Sequence, residues 1–148
     1  MGAPRRGDGI EPRITVITLA VGDLERAVGF YRDGLGWPTD GIIGTEFEDG
    51  AVAFFRLSGG PILALWPRES LARDASLPPG PRSSTELTLG HNLASAEAVD
   101  RAFAIAVAAG GTPVKAPRAT SWGGYAGYLA DPDGHLWELV FNSDLIPD

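Results

Sequence analysis

Two stretches of the chain carry the same succession of elements, and few folds can accommodate it. Arg13 to Val21 (R-I-T-V-I-T-L-A-V) is dense in β-branched residues and reads as a strand. Gly22-Asp23 ends it, with Asp23 as a helix N-cap and Glu25 in the first turn to complement the dipole. Leu24, Ala27, Val28, Tyr31 and Leu35 then recur at helical spacing, and Gly34, Gly36 and Pro38 stop the helix. Three strands are expected over 41–48, 51–57 and 61–66, separated by Asp49-Gly50 and Ser58-Gly59-Gly60. A short helix over 67–77 follows. After Pro78-Pro79-Gly80-Pro81 the succession starts again. Thr85 to Leu93 is a strand, Ser95 the next N-cap, and Val99, Phe103 and Val107 mark a helix ending at Gly110-Gly111. Pro113 to Ala116 is a short strand, and two more strands close the chain. The expected fold class is therefore α+β, built from two β-α-β-β-β modules. One domain is expected over 13–142, with modules at about 13–77 and 85–142 and a linker at about 78–84. Residues 1–12 are expected to form an N-terminal arm and 143–148 a tail.

The closing hairpin is the sharpest local signal. Asp131-Pro132-Asp133-Gly134 has the chemistry of a tight turn, with Asp131 and Asp133 as turn formers. Tyr125 to Ala130 leads into the turn and His135 to Phe141 leaves it. The second of these strands is apolar almost throughout but contains Glu138, and a carboxylate there is costly to bury without a partner or a purpose. Leu136, Glu138 and Val140 alternate with the larger Trp137, Leu139 and Phe141, which suit helix packing. Glu138 is thereby left to the other face. Desolvation there would raise its pKa, whereas a buried arginine partner would make it structural.

Composition narrows the function classes. The chain has 148 residues, one lysine (Lys115), no cysteine and a net charge of −7. Thiolate metal sites and cysteine nucleophiles are excluded. Apart from Arg5-Arg6 the arginines are scattered singly, so no nucleic-acid partner is expected. No apolar run reaches the ~20 residues of a membrane span, and with no charged segment leading into an apolar one near Met1, no signal peptide is expected. The expectation is a cytoplasmic protein with no membrane partner.

Val16 to Trp37 (V-I-T-L-A-V-G-D-L-E-R-A-V-G-F-Y-R-D-G-L-G-W) and Tyr128 to Leu139 (Y-L-A-D-P-D-G-H-L-W-E-L) resemble the opening strand–helix unit and closing hairpin of the vicinal oxygen chelate superfamily. That superfamily includes glyoxalase I, the bleomycin-resistance proteins and the extradiol dioxygenases. The resemblance implies two modules whose sheets enclose a cup, and a homodimer. In metal-using members the ligands come from the first and last strands of each module. Counting seven residues back from Asp23 and Ser95, and four on from Gly60 and Gly134, puts Val16, Thr88, Ala64 and Glu138 in those positions. Only Glu138 is a good ligand, so no metal and no other cofactor is expected. The cup is then lined by Val16, Thr18, Ile62, Ala64, Trp66, Thr88, Asn92 and Glu138, with Trp122, Tyr125 and Tyr128 near its other end. His91 lies three residues from Thr88 and points to the opposite face in a regular strand, although a bulge would reverse that. Two functions fit: a metal-independent cup of the resistance or sequestration type, holding a partly apolar or aromatic small molecule, or a metal-free lyase or isomerase with Glu138 as general acid or base. A metal-dependent glyoxalase or dioxygenase fits least.

Overall fold

The computed structural model describes residue 2 and residues 9–142. Most of the arm expected over 1–12, and all of the tail over 143–148, lie outside the described residues. The first module runs β1 (Val16–Val21), α1 (Leu24–Val28), β2 (Ile42–Ile43), β3 (Val52–Arg56), β4 (Ile62–Pro67) and α2 (Arg68–Ala75). The second runs β5 (Thr88–Asn92), α3 (Ala96–Ala108), β6 (Thr112–Ala119), β7 (Tyr125–Ala130) and β8 (Leu136–Phe141). Each module forms one four-stranded sheet, ordered β1-β4-β3-β2 and β5-β8-β7-β6. In both, the first strand pairs in parallel with the last, and the remaining pairings are antiparallel. The repeat in sequence is thus a repeat in topology.

Local chemistry accounts for the boundaries. The Asp23 carboxylate accepts from the Arg26 amide (3.1 Å), and the Ser95 hydroxyl from the Ala98 amide (3.1 Å), as N-caps do. The helix expected to run from Leu24 to Gly34 changes character at Gly29: residues Gly29–Gly34 form a π-helical turn, with the Leu35 amide bonded to the Phe30 carbonyl at 2.9 Å. The wider turn accompanies burial of two consecutive aromatics, Phe30 and Tyr31, whose rings meet edge-on at 4.8 Å. Strand β2 is far shorter than the stretch 41–48. Turns at Gly44 to Gly50 replace the rest: Gly44 and Asp49 take positive φ, and the chain folds back so closely that a Cβ at Gly44 would meet the Gly50 carbonyl. Strand β6 is longer than 113–116, since an edge strand tolerates Pro113 and Pro117.

The two modules share one core. Leu19, Val21, Phe55, Leu63 and Leu65 of the first sheet and Leu129, Trp137 and Leu139 of the second belong to the same buried cluster, together with Tyr31 and Val99. Tyr31 is the bridge. Its ring lies 5.9 Å from Phe55 and 6.1 Å from Trp137, and its hydroxyl accepts from the Trp137 indole N–H (3.0 Å) while donating to Asp131 (2.6 Å). Burial, reinforced by the neighbouring Asp131 carboxylate, holds the Tyr31 phenol well above its ordinary pKa. Module one therefore sits against the Trp137 side of the second sheet.

The turn of the closing hairpin is part of the same joint. Asp131 accepts from the amides of Asp133 and His135, both at 2.9 Å, as a turn aspartate should. Asp133 accepts from the Gly22 amide (2.8 Å) and from the Arg26 guanidinium (3.1 Å). His135 bonds through Nε2 to the Ala20 carbonyl at 2.8 Å, so it ties the modules together. Both aspartates are buried. They act as turn formers and also as the anchor of one module on the other.

Candidate functional site

Strand alternation decides what the open face of the second sheet presents. Trp137 and Leu139 point into the core, so Leu136, Glu138 and Val140 point away from it. Across the parallel pairing, Thr88, Gly90 and Asn92 stand beside Leu136, Glu138 and Val140 on this face. Across the antiparallel pairing, Tyr128 stands beside Glu138 and donates its phenolic hydrogen to Oε2 at 3.0 Å. That bond is the main cause of the raised Tyr128 pKa, with partial burial and the carboxylate charge adding to it. No arginine pairs with Glu138 among the described residues, so the partner that would have made it a structural acid is replaced by a neutral phenol.

In front of the pair lies a hollow of about 360 Å³, lined by Lys115, Arg118, Thr120, Ser121, Trp122, Ala126, Tyr128 and Glu138. All of these residues belong to the second module. Trp122 is half-exposed at the tip of the β6–β7 hairpin, which is closed by the Gly124 amide on the Thr120 hydroxyl at 2.8 Å. Its indole folds back over Gly124: a Cβ there would lie 2.0 Å from the ring, so the loop needs glycine to seat the tryptophan.

The other expected cup residues lie elsewhere. Val16 and Thr18 are exposed on the open face of the first sheet, beside Ile62 and Ala64 of β4, with Trp66 further along. The Trp66 indole donates to the Asp49 carbonyl at 2.9 Å, and Ala64 is buried beneath its neighbours. This face is separate from the Glu138 hollow within one chain. Phe54 and Arg56, exposed and paired with Ala64 and Ile62, also belong to it; the Phe54-Phe55 doublet hides their parity in the sequence.

Tyr125 corrects the expected cup. It is three residues from Tyr128, so a regular strand sends it to the opposite face, where its hydroxyl donates to Asp100 of α3 at 2.7 Å. That bond, first among the causes, raises its pKa. Parity already held this information. His91 pairs with Leu139 and lies on the helix side, in a mainly apolar cavity of about 140 Å³ with Phe30, Trp37 and Trp137. Partial burial lowers its pKa. Lys115 and Arg118 escape sequence reading because two irregularities in β6 aim them, and nothing in the letters dates a bulge.

The residues present do not fit a divalent metal. Val16 and Ala64 offer no donor, and Thr88 offers only a hydroxyl. Glu138 already accepts from Tyr128, and no group of three or more His, Asp or Glu side chains converges among the described residues. Also among the described residues, no helix is long and apolar enough to cross a membrane.

Comparison with known proteins agrees with the topology. Residues 13–139 match the model of the Glyoxalase/Bleomycin resistance protein/Dioxygenase superfamily. A glyoxalase-related enzyme from Fulvimarina pelagi is 34% identical over 89% of both chains, with a TM-score of 0.75. A glyoxalase/bleomycin resistance protein/dioxygenase from Nocardioides is 26% identical over 95% of this chain and 90% of its own, with a TM-score of 0.73. A lactoylglutathione lyase from Agrobacterium tumefaciens is 24% identical over 90% of this chain and 96% of its own; with a TM-score of 0.64, it shares the fold. No curated protein matches the chain.

Proposed function

This chain belongs to the Glyoxalase/Bleomycin resistance protein/Dioxygenase superfamily, and from that premise we propose that it binds a small, partly apolar or aromatic molecule at the Glu138–Tyr128 hollow without a metal. One observation carries this. Glu138 faces away from the shared core, in an open hollow, with a single neutral hydrogen-bond donor. A carboxylate so placed is free to accept a second hydrogen bond from a ligand. Trp122 lines the hollow and supplies aromatic contact, while Thr88 and Asn92 stand on the same face of the sheet, beside Leu136 and Val140.

The module-one face bearing Val16, Thr18, Ile62, Ala64 and Trp66 completes the cup, supplied by a second copy in a homodimer. Its support is that Val16 and Phe54 stand 43% and 41% exposed on a face that is apolar at its centre. In this assembly each cup is half from one chain and half from the other. The protein sequesters its ligand, as resistance-type members of the superfamily do. The hydrogen bond between Glu138 and Tyr128 also favours a second reading, a metal-free lyase or isomerase, because it couples a base to a proton donor.

Elemental analysis and light scattering on one preparation, purified without chelator, test both features. The expected result is well under one equivalent of Zn, Fe, Ni or Mn per chain, in a particle of two chains at micromolar concentration. Stoichiometric metal that is lost on Glu138→Ala would overturn the metal-free site, and a monomer would overturn the shared cup. Product release from a bound compound would replace sequestration with catalysis.

A further inference from the structure

Strand β6 meets β7 with two breaks in register, one between Pro113 and Lys115 and one between Lys115 and Arg118. Lys115 stands opposite Tyr128 and Arg118 opposite Ala126. The two cations are three residues apart, so an unbroken strand would send them to opposite faces. The second break inserts one residue on β6, and both side chains arrive on the face that carries Tyr128 and Glu138. The opposing strand is built to allow it. A Cβ at Gly127 would lie 2.9 Å from the Pro117 nitrogen and 3.0 Å from the Lys115 carbonyl, so the bulged backbone settles only against glycine. Bulges re-aim side chains, and here the two turned inward together are both cationic.

Among the described residues neither cation has an ion pair or a hydrogen bond, although Glu86 lines an adjoining hollow with Lys115. Two unpaired positive charges over one hollow stand out in a chain of net charge −7. Glu138 lies across the hollow from them: β7 separates β6 from β8, so the strands are about 10 Å apart, roughly the span of a ring with one substituent.

We propose that the ligand is a small organic anion, with its carboxylate, phosphate or sulfonate between Lys115 and Arg118 and its apolar or aromatic body against Trp122, reaching towards Tyr128 and Glu138. This rests on the Glu138 hollow being the ligand site.

A matched pair of fluorescent probes separates the two ideas: 8-anilino-1-naphthalenesulfonate, and the neutral N-phenyl-1-naphthylamine, which lacks only the sulfonate. The anion should bind about tenfold more tightly than the neutral probe. Lys115→Gln and Arg118→Gln should each remove roughly three- to fivefold of that advantage, and raising salt from about 20 mM to about 200 mM should shrink it. Both side chains are exposed, so each variant should melt with the parent. Equal binding of the two probes, with neither substitution changing it, would overturn the anion preference; the hollow itself would still stand if Trp122→Ala weakened both. Indifference of both probes to Trp122→Ala and Tyr128→Phe, or no saturable binding of either, would overturn the site and the anion preference together.

Discussion

The closing hairpin carries three acids within eight residues, and the structure treats them in two ways. Asp131 and Asp133, in the turn, are buried and accept hydrogen bonds from Tyr31, from backbone amides and from Arg26. Glu138, in the strand, faces an open hollow with one phenol for company. The donors make the difference. An acid with its oxygens occupied by groups from another module is a joint, and removing it strands those donors in the core. An acid with one neutral partner and space in front of it keeps acceptor capacity for something that is not part of the chain. Asp133 lies between these cases, since its Oδ2 is buried with no hydrogen-bond partner while Oδ1 takes both Gly22 and Arg26.

The largest expected effect is on the joint. Asp131→Ala removes the acceptor of three hydrogen bonds and leaves the Tyr31 hydroxyl and two amides in the interior. It should cost about 3–5 kcal/mol, lowering the melting temperature by roughly 10 °C or more. A melt matching the parent would mean that the modules are held by apolar packing alone and that the turn acid is dispensable.

Gly127→Ala should cost less, about 1–2 kcal/mol, because the added methyl must displace backbone at Pro117 and Lys115. Its sharper consequence is for the hollow. Straightening β6 would take Arg118 off the Tyr128 face, so anionic ligands should lose more affinity than neutral ones. Parent-like stability and an unchanged anion preference would show that the bulge aims nothing.

Much of this was legible in the letters. Asp23 and Ser95 cap helices as their positions require, and the period-two pattern around Glu138 gives its face correctly. Tyr125 was readable too, since its distance from Tyr128 forbids a shared face in a regular strand. Three features were not legible. The bulges that aim Lys115 and Arg118 depend on contact between β6 and β7, not on either strand alone. The burial of Asp131 and Asp133 depends on module one arriving at the turn, a contact about a hundred residues away in sequence. The separation of the Val16 face from the Glu138 hollow depends on how the modules dock, which follows from Tyr31 and Trp137 packing across the joint.

A smaller effect distinguishes the strand acid from the turn acids through its partner. The hydrogen bond to Glu138 raises the Tyr128 pKa above the ordinary phenol value of about 10. A raised folded-state value favours the neutral phenol, so this contribution to stability is present below the ordinary phenol range and is lost as pH rises through the raised value. In Glu138→Gln one of the three phenols should therefore ionise at lower pH in an alkaline absorbance titration. Tyr31, raised by its burial and by Asp131, and Tyr125, raised by its bond to Asp100, should not move. A titration identical to the parent would mean that Tyr128 and Glu138 are not bonded in solution.

The most direct test of the division between joint and site is the thermal melt of Glu138→Gln beside the parent. Glutamine keeps the size of the side chain and an acceptor for Tyr128, and the hollow lets water reach it. The variant should melt within a few degrees of the parent, an effect of roughly 1 kcal/mol or less. A fall of roughly 10 °C or more, comparable with that expected for Asp131→Ala, would contradict the account and make Glu138 a third structural acid of the hairpin.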